Sequence, residues 1–176
     1  MRQIINKVAS NHRVLWVGIG CTRGTSRQLM ERAIGQVFRE NQLAESAIAG
    51  FATINSKSQE LGLLELCQHQ NLFLKTFPPD VLSQISVPNP SQVVGKKVRT
   101  CSVAEAAALC AASDFTCLES SQNKVITLEL EVRLIVPKQI FSLEGLPGMV
   151  TIAVAQAPIL DSYLTTNTEQ LASSTT

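Results

Sequence analysis

The sequence predicts a three-layer α/β/α domain with a mixed sheet. Strand-like and helix-like patterns alternate from residue 13 onward with short connections, which is the signature of helices packed on a sheet. The glycine-bearing segment Gly18-Ile19-Gly20-Cys21-Thr22-Arg23-Gly24 separates the first apolar run from the first helical pattern. Near the end, a period-two stretch and an apolar run flank a Gly-Leu-Pro-Gly turn signal, which predicts a C-terminal antiparallel hairpin.

The elements follow in order. Residues 13–19 read as a strand and 26–40 as a helix, with Thr25 or Ser26 as N-cap. Residues 48–54 read as a second strand. Asn55 or Ser56 opens a helix over 57–69, with Leu61 and Leu64 on its buried face and Leu63, Leu66 and Cys67 less regularly so. Leu72 to Phe77 forms a third strand, and Pro78-Pro79 starts a short helix to about Ile85. Residues 87–91 form a loop. The alanine-rich stretch Ala104 to Ala112 is helical, and Ser102 with Glu105 fits a capping box. Residues 124–136 alternate as a strand with one wet face, and 149–155 read as a strand buried on both sides. The domain is expected over 1–160, with 161–176, rich in Thr, Ser, Asn and Gln, as a disordered tail.

Composition excludes several classes. The chain has 176 residues, 45% apolar and 16% charged, enough to build a core rather than remain unfolded. A formal net charge of +1 and few aromatics argue against nucleic acid as a partner. No apolar run approaches the roughly 20 residues of a membrane helix, so no membrane is expected. The first twelve residues carry no signal-peptide core. Five cysteines without a CxxC unit predict free thiols and a cytoplasmic setting.

The glycine segment has several readings. A strand that empties through a glycine turn into a helix N-terminus can hold an anion, because backbone N–H groups and the helix dipole both favour negative charge there. The spacing is one residue longer than G-x-G-x-x-G, and the second strand ends in Ile54-Asn55-Ser56-Lys57 with no acid for a ribose, so dinucleotide binding is disfavoured. The glycines could equally serve only a tight turn. Arg23 stands unfavourably at a helix start and needs an anion, either a ligand carboxylate or a nearby Glu. Gly18, Gly20, Cys21, Thr22, Arg23 and Gly24 are thus candidate ligand-binding residues. Ser56, Lys57 and Glu60 form a second group, either an ordinary surface ion pair or a rim in which Glu60 orients Lys57. Ser102 and Glu105 are a third, either a cap or part of the site. Gly62 in mid-helix predicts close packing.

Signals for catalysis are sparse. His12 and His69 are isolated and have no metal-ligand spacing. Cys21, beside a helix start and Arg23, is in a setting that lowers a thiol pKa, but it has no evident base. Glu60 and Asp80 could act as an acid–base pair only if folding joins them. No cofactor is evident and no metal site is expected.

Taken together, Gly18 to Gly24, Lys57-Ser58-Gln59-Glu60-Leu61-Gly62-Leu63, Phe77 to Leu82, Ser102 to Ala108, Leu134 to Lys138 and Val150 to Ala155 occur in an order that resembles the C-terminal domain of the CobE/CbiG family of cobalamin biosynthesis. Residues 119–148 are longer than in that pattern. The resemblance implies a corrin or precorrin intermediate as ligand, able to carry cobalt, bound during ring contraction and C2-fragment release or carried between enzymes. The larger members of the family open the ring lactone of cobalt-precorrin-5A and release acetaldehyde, and that hydrolysis is the alternative activity. This chain looks like the stand-alone CobE form. Other enzymes of the pathway, such as a methyltransferase, are possible partners, for instance through the face of Thr127, Glu129, Glu131 and Arg133. In such a site Phe77 and Pro78 would supply apolar wall around an acidic macrocycle.

Overall fold

A computed structural model of the chain describes residues 13–86, 102–113 and 132–158. The expectations for His12, the 87–91 loop, strand residues 124–131 with Thr127, Glu129 and Glu131, and the 161–176 tail lie outside the described residues. So do Cys101 and Cys117.

Five strands form one sheet: β1 (Leu15–Cys21), β2 (Ile48–Ile54), β3 (Leu74–Phe77), β4 (Arg133–Phe141) and β5 (Val150–Gln156). Their order across the sheet is β3-β2-β1-β5-β4. β1, β2 and β3 run parallel, while β5 is antiparallel to both β1 and β4. The helices are α1 (Arg27–Glu40), α2 (Leu61–Gln70), α3 (Pro79–Ser83) and α4 (Val103–Ser113). The mixed sheet with its C-terminal antiparallel pair is the expected fold class.

Side chains alternate along β1. Leu15, Val17 and Ile19 point into a core shared with Leu29, Met30, Val37 and Phe38 of α1 and Leu63 and Leu66 of α2. Trp16 points the other way, into a cluster with the alanines of α4. The sheet is therefore covered on both faces. Chain direction reverses at β1, which has a parallel neighbour on one side and an antiparallel one on the other. The carboxyl end of such a strand is where open α/β sheets gather ligands.

α4 lies directly on the sheet. A Cβ added to Gly18 would stand 1.8 Å from the Ala104 carbonyl oxygen. Gly18 is thus a contact glycine inside β1, and Gly20 also lies within the strand. The glycine turn is shorter than the sequence suggests, because β1 extends two residues beyond the expected end and only Thr22 to Ser26 remain to turn. Eight of the eleven residues of α4 are buried, including Glu105. Alanine side chains make that approach possible.

Three local expectations change. The helix expected over 57–69 starts at Leu61, and residues 55–57 form a separate 3-10 turn. Its buried residues are Gly62, Leu63 and Leu66, whereas Leu61 is 70% exposed and Leu64 41%. The rotation is set by Gly62, whose absent Cβ would lie 2.2 Å from the Thr25 carbonyl oxygen. That contact is the close packing Gly62 predicts. The last change is in β4, which continues through Pro137 to Phe141, with register shifts around Val136. An edge strand tolerates the missing N–H at such an irregularity. The capping box is half-formed: Ser102 Oγ accepts the Glu105 N–H at 3.5 Å, while Glu105 Oε1 accepts the Lys138 N–H at 2.9 Å and ties α4 to β4.

The two strand glycines separate contact from conformation. Gly18→Ala should destabilise the domain by about 2–3 kcal/mol, since backbone, not a flexible side chain, occupies the space. Among the described residues Gly20→Ala meets only Thr151, at 3.6 Å, and should change stability by less than about 0.5 kcal/mol. Urea denaturation of both variants measures the difference.

Candidate functional site

The turn after β1 carries the local chemistry. Gly24 has φ +74°, a left-handed conformation that glycine adopts without strain, and among the described residues, its chain neighbours apart, no atom lies within 4 Å of where its Cβ would be. The turn therefore faces open space at Gly24. Ser26 caps α1, its Oγ accepting the Leu29 N–H at 3.2 Å. Thr25 is buried, and its hydroxyl donates to the Thr22 carbonyl at 2.8 Å, with the Met149 carbonyl at 3.1 Å.

A second segment braces the turn. The Thr22 N–H donates to Met149 O at 3.0 Å, the Met149 N–H to Thr22 Oγ1 at 2.9 Å, and the Ser26 N–H to Pro147 O at 3.2 Å. Gly148 allows the approach, since a Cβ there would strike Thr25 Oγ1. Sequence reasoning missed this brace. The Gly145-Leu146-Pro147-Gly148 run signalled a turn but not what the turn rests against.

The turn does not present a row of outward amides. Those of Thr22, Thr25 and Ser26 bond within the protein. The Gly24 N–H does meet an anion, and it is the chain's own: Glu60 Oε2 accepts it at 3.2 Å. Glu60 Oε1 takes the Lys57 ammonium at 3.1 Å. Glu60 is the N-cap residue of α2, so the Gly62–Thr25 contact brings its carboxylate to Gly24. The Gly24 amide, then the Lys57 hydrogen bond and charge, hold the Glu60 carboxyl below its ordinary range against partial burial, with a smaller pull from Arg23.

Arg23 is exposed and, among the described residues, has no carboxylate within 4 Å. Of the two anions that could answer it, no carboxylate of the described residues takes it. Ser56 is exposed on the neighbouring 3-10 turn. The structure thus brings Thr22, Arg23, Gly24, Lys57 and Glu60 together at the ends of β1 and β2, with Ser56 alongside. Cys21 ends β1 beside Lys57 and Glu60. Burial pushes its thiol up, opposed by Lys57 and reinforced by Glu60, so the expected lowering is not found and the sulfur is protonated near neutral pH.

Other candidates stand apart. Ser102 and Glu105 are buried in the α4–β4 packing. Asp80 is exposed in the first turn of α3, and no hydrogen bond or ion pair joins it to Glu60. His69 is not isolated: its Nδ1 lies 2.8 Å from Glu31 Oε1, which also pairs with Arg27 at 3.0 Å. Among the described residues no group of three His, Cys, Asp or Glu could hold a metal ion, and no helix is long and apolar enough to cross a membrane. Cys21 and Cys67 are free thiols.

The comparisons with known proteins converge. Residues 15–155 match the family model described as cobalamin synthesis G C-terminus. A cobalt-precorrin-5A hydrolase from Priestia megaterium is 32% identical over 130 residues, which is 74% of this chain and 34% of the hydrolase. The chain thus spans about a third of the length of that relative. The crystal structure of CobE, a protein of the cobalamin pathway, superposes with a TM-score of 0.63 at 26% identity, covering 81% of this chain and 89% of CobE. The cobalamin biosynthesis protein chiG from Agrobacterium tumefaciens shares the fold at a TM-score of 0.53 and 23% identity, covering 82% of this chain and 98% of its own. A putative cobalamin biosynthesis protein G homolog from Sulfolobus solfataricus does so at 0.53 and 20%, covering 81% of this chain and 36% of its own.

The Glu60 bridge makes stability depend on pH. Its contribution is complete above the ordinary glutamate range of about 4.3 and fades as pH falls through the lowered folded value. The melting-temperature gap between the wild type and Glu60→Gln should therefore narrow on acidification from about pH 5 to about pH 2, as thermal melts across that range would record.

Proposed function

The chain belongs to the cobalamin synthesis G C-terminal family and is a protein of cobalamin biosynthesis; from that premise we propose that it binds the carboxylate fringe of a corrin or precorrin intermediate at the turn after β1. The observation that carries this reading is Arg23. It is an exposed guanidinium with no ion pair among the described residues, on a turn that opens to space at Gly24. Arg and Lys beside each other suit a ligand with several acetate and propionate groups, and the guanidinium can hold one of them in a two-pronged fork.

The surroundings suit the ring. Leu61, directly after Glu60, and Met149, bonded to Thr22, are both exposed apolar side chains. Phe77 and Pro78, at the end of β3, extend apolar surface along the same edge of the sheet. A flat tetrapyrrole needs apolar contact for its faces and cations for its edge. Cobalt, where present, arrives with the ligand. The half-buried free thiols of Cys21 and Cys67 favour the cytoplasm as its setting, and partner enzymes of the pathway would supply and receive the intermediate.

Hydrolysis is the second reading, favoured by the relative that carries the name cobalt-precorrin-5A hydrolase. The local chemistry supports binding better. A carboxylate held below its ordinary pKa is a weak base, and Glu60 is engaged by Gly24 and Lys57. The chain incubated alone with cobalt-precorrin-5A should bind it without releasing acetaldehyde; sustained acetaldehyde release would favour the hydrolase.

Dicyanocobyrinic acid, a corrin with free carboxylates, and its methyl ester are direct probes. The acid should bind and the ester should not. Arg23→Ala should weaken binding of the acid by about tenfold, the loss of one charge-assisted contact. Equal affinity for the two proteins in an absorbance titration would remove Arg23 from the site.

A further inference from the structure

We propose that Glu60 is a built-in counter-carboxylate that occupies the ligand's place at Gly24 and Lys57, so that ligand binding is an exchange of one carboxylate for another. The inference rests on the binding reading above and adds a basis for selectivity to it.

The geometry of the bridge supports it. One Glu60 oxygen accepts the Gly24 N–H at 3.2 Å and the other faces Lys57 Nζ at 3.1 Å. A backbone amide on one oxygen and an ammonium on the other are also what a propionate or acetate arm of a ligand would want. The amides of Thr22, Thr25 and Ser26 bond to Met149, Thr22 and Pro147 inside the protein. Gly24 and Lys57 share one partner, the Glu60 carboxylate, and that side chain can swing aside without unfolding anything. The Lys57 and Glu60 side chains keep 24% and 16% of their surface in contact with solvent, so the exchange needs no opening of the core.

Selectivity follows from the tether. Glu60 is covalently held beside its donors and acts at a high effective concentration. A free monocarboxylate would form the same two bonds that Glu60 gives up, and gains nothing to set against the tether. A polycarboxylate keeps a second arm on Arg23 and its ring against apolar surface while the first arm competes. Glu60 thereby admits ligands with several acidic arms and rejects the single-arm metabolites that surround them. A general base or a mere structural cap makes neither distinction.

Glu60→Gln tests this. The amide still accepts the Gly24 N–H, so α2 keeps its start, but it no longer neutralises Lys57. The exchange predicts that the variant binds dicyanocobyrinic acid about threefold to tenfold more tightly than the wild type at low salt. It also predicts that sodium acetate competes with the corrin on the variant and not on the wild type beyond the effect of matched sodium chloride. In the wild type, carboxyl-carbon NMR of Glu60 should show its pKa rising toward the ordinary glutamate range when dicyanocobyrinic acid saturates the site. That readout stands even if the variant folds poorly. Wild-type binding that Arg23→Ala weakens, together with equal or weaker binding by Glu60→Gln, would overturn the exchange and leave the binding reading intact. A Glu60 pKa unmoved by saturating corrin would do the same. No binding of the corrin by the wild type would overturn both.

Discussion

At Gly62 the backbone of α2 lies against the carbonyl of Thr25, with no side chain between them. That single approach fixes much of the rim. It sets the rotation of α2, so Leu63 and Leu66 enter the core while Leu61 stays in solvent. It also sets Glu60, two residues earlier, within reach of Gly24. A methyl group at Gly62 would push the helix away from the turn, and the ends of β1 and β2 would no longer share one site. Gly18 does for the other face of the sheet what Gly62 does for this one, letting α4 rest on β1. Both contacts place rigid backbone next to the segment that carries the charges, which is how a short exposed turn keeps a defined shape.

The electrostatics follow from that placement. Two cations, Arg23 and Lys57, and one carboxylate, Glu60, share a small surface, so that patch alone concentrates as much net positive charge as the formal +1 of the whole chain. Local excess, not net charge, is what an acidic ligand meets at close range. Thr22 and Thr25 bring no charge, yet with Met149 and Pro147 they engage the amides of Thr22, Thr25 and Ser26, which would otherwise be open to an anion. The result is a turn with few free donors and a strong cation. Cys21 fits the same logic: burial keeps its thiol protonated and adds no negative charge beneath the cations.

Much of this was legible in the sequence, for identifiable reasons. Period-two patterning and short connections gave the layers and the final hairpin, because each strand must bury at least one face. Ser26 as N-cap and Gly62 as a packing glycine were legible because each has one dominant physical use. The Lys57–Glu60 pair was legible from its spacing, although it spans a 3-10 turn and the N-cap instead of a helix face. What escaped depended on contacts between distant segments. The role of Gly18 needs α4 in place, the face of α2 needs Thr25, and the brace at Pro147 to Met149 is more than a hundred residues from the turn it holds. The path of β4 through Pro137 was hidden because proline ordinarily ends a strand; here the edge position tolerates it and Glu105 takes up the neighbouring Lys138 N–H.

The central claim is that the turn after β1 is where an acidic tetrapyrrole meets this protein. Amide chemical-shift mapping during a titration with dicyanocobyrinic acid tests it most directly. The account predicts saturable shifts centred on Arg23, Gly24 and Lys57, fading toward the far ends of α1 and α2. Saturable shifts centred elsewhere, with those three amides still, would contradict it.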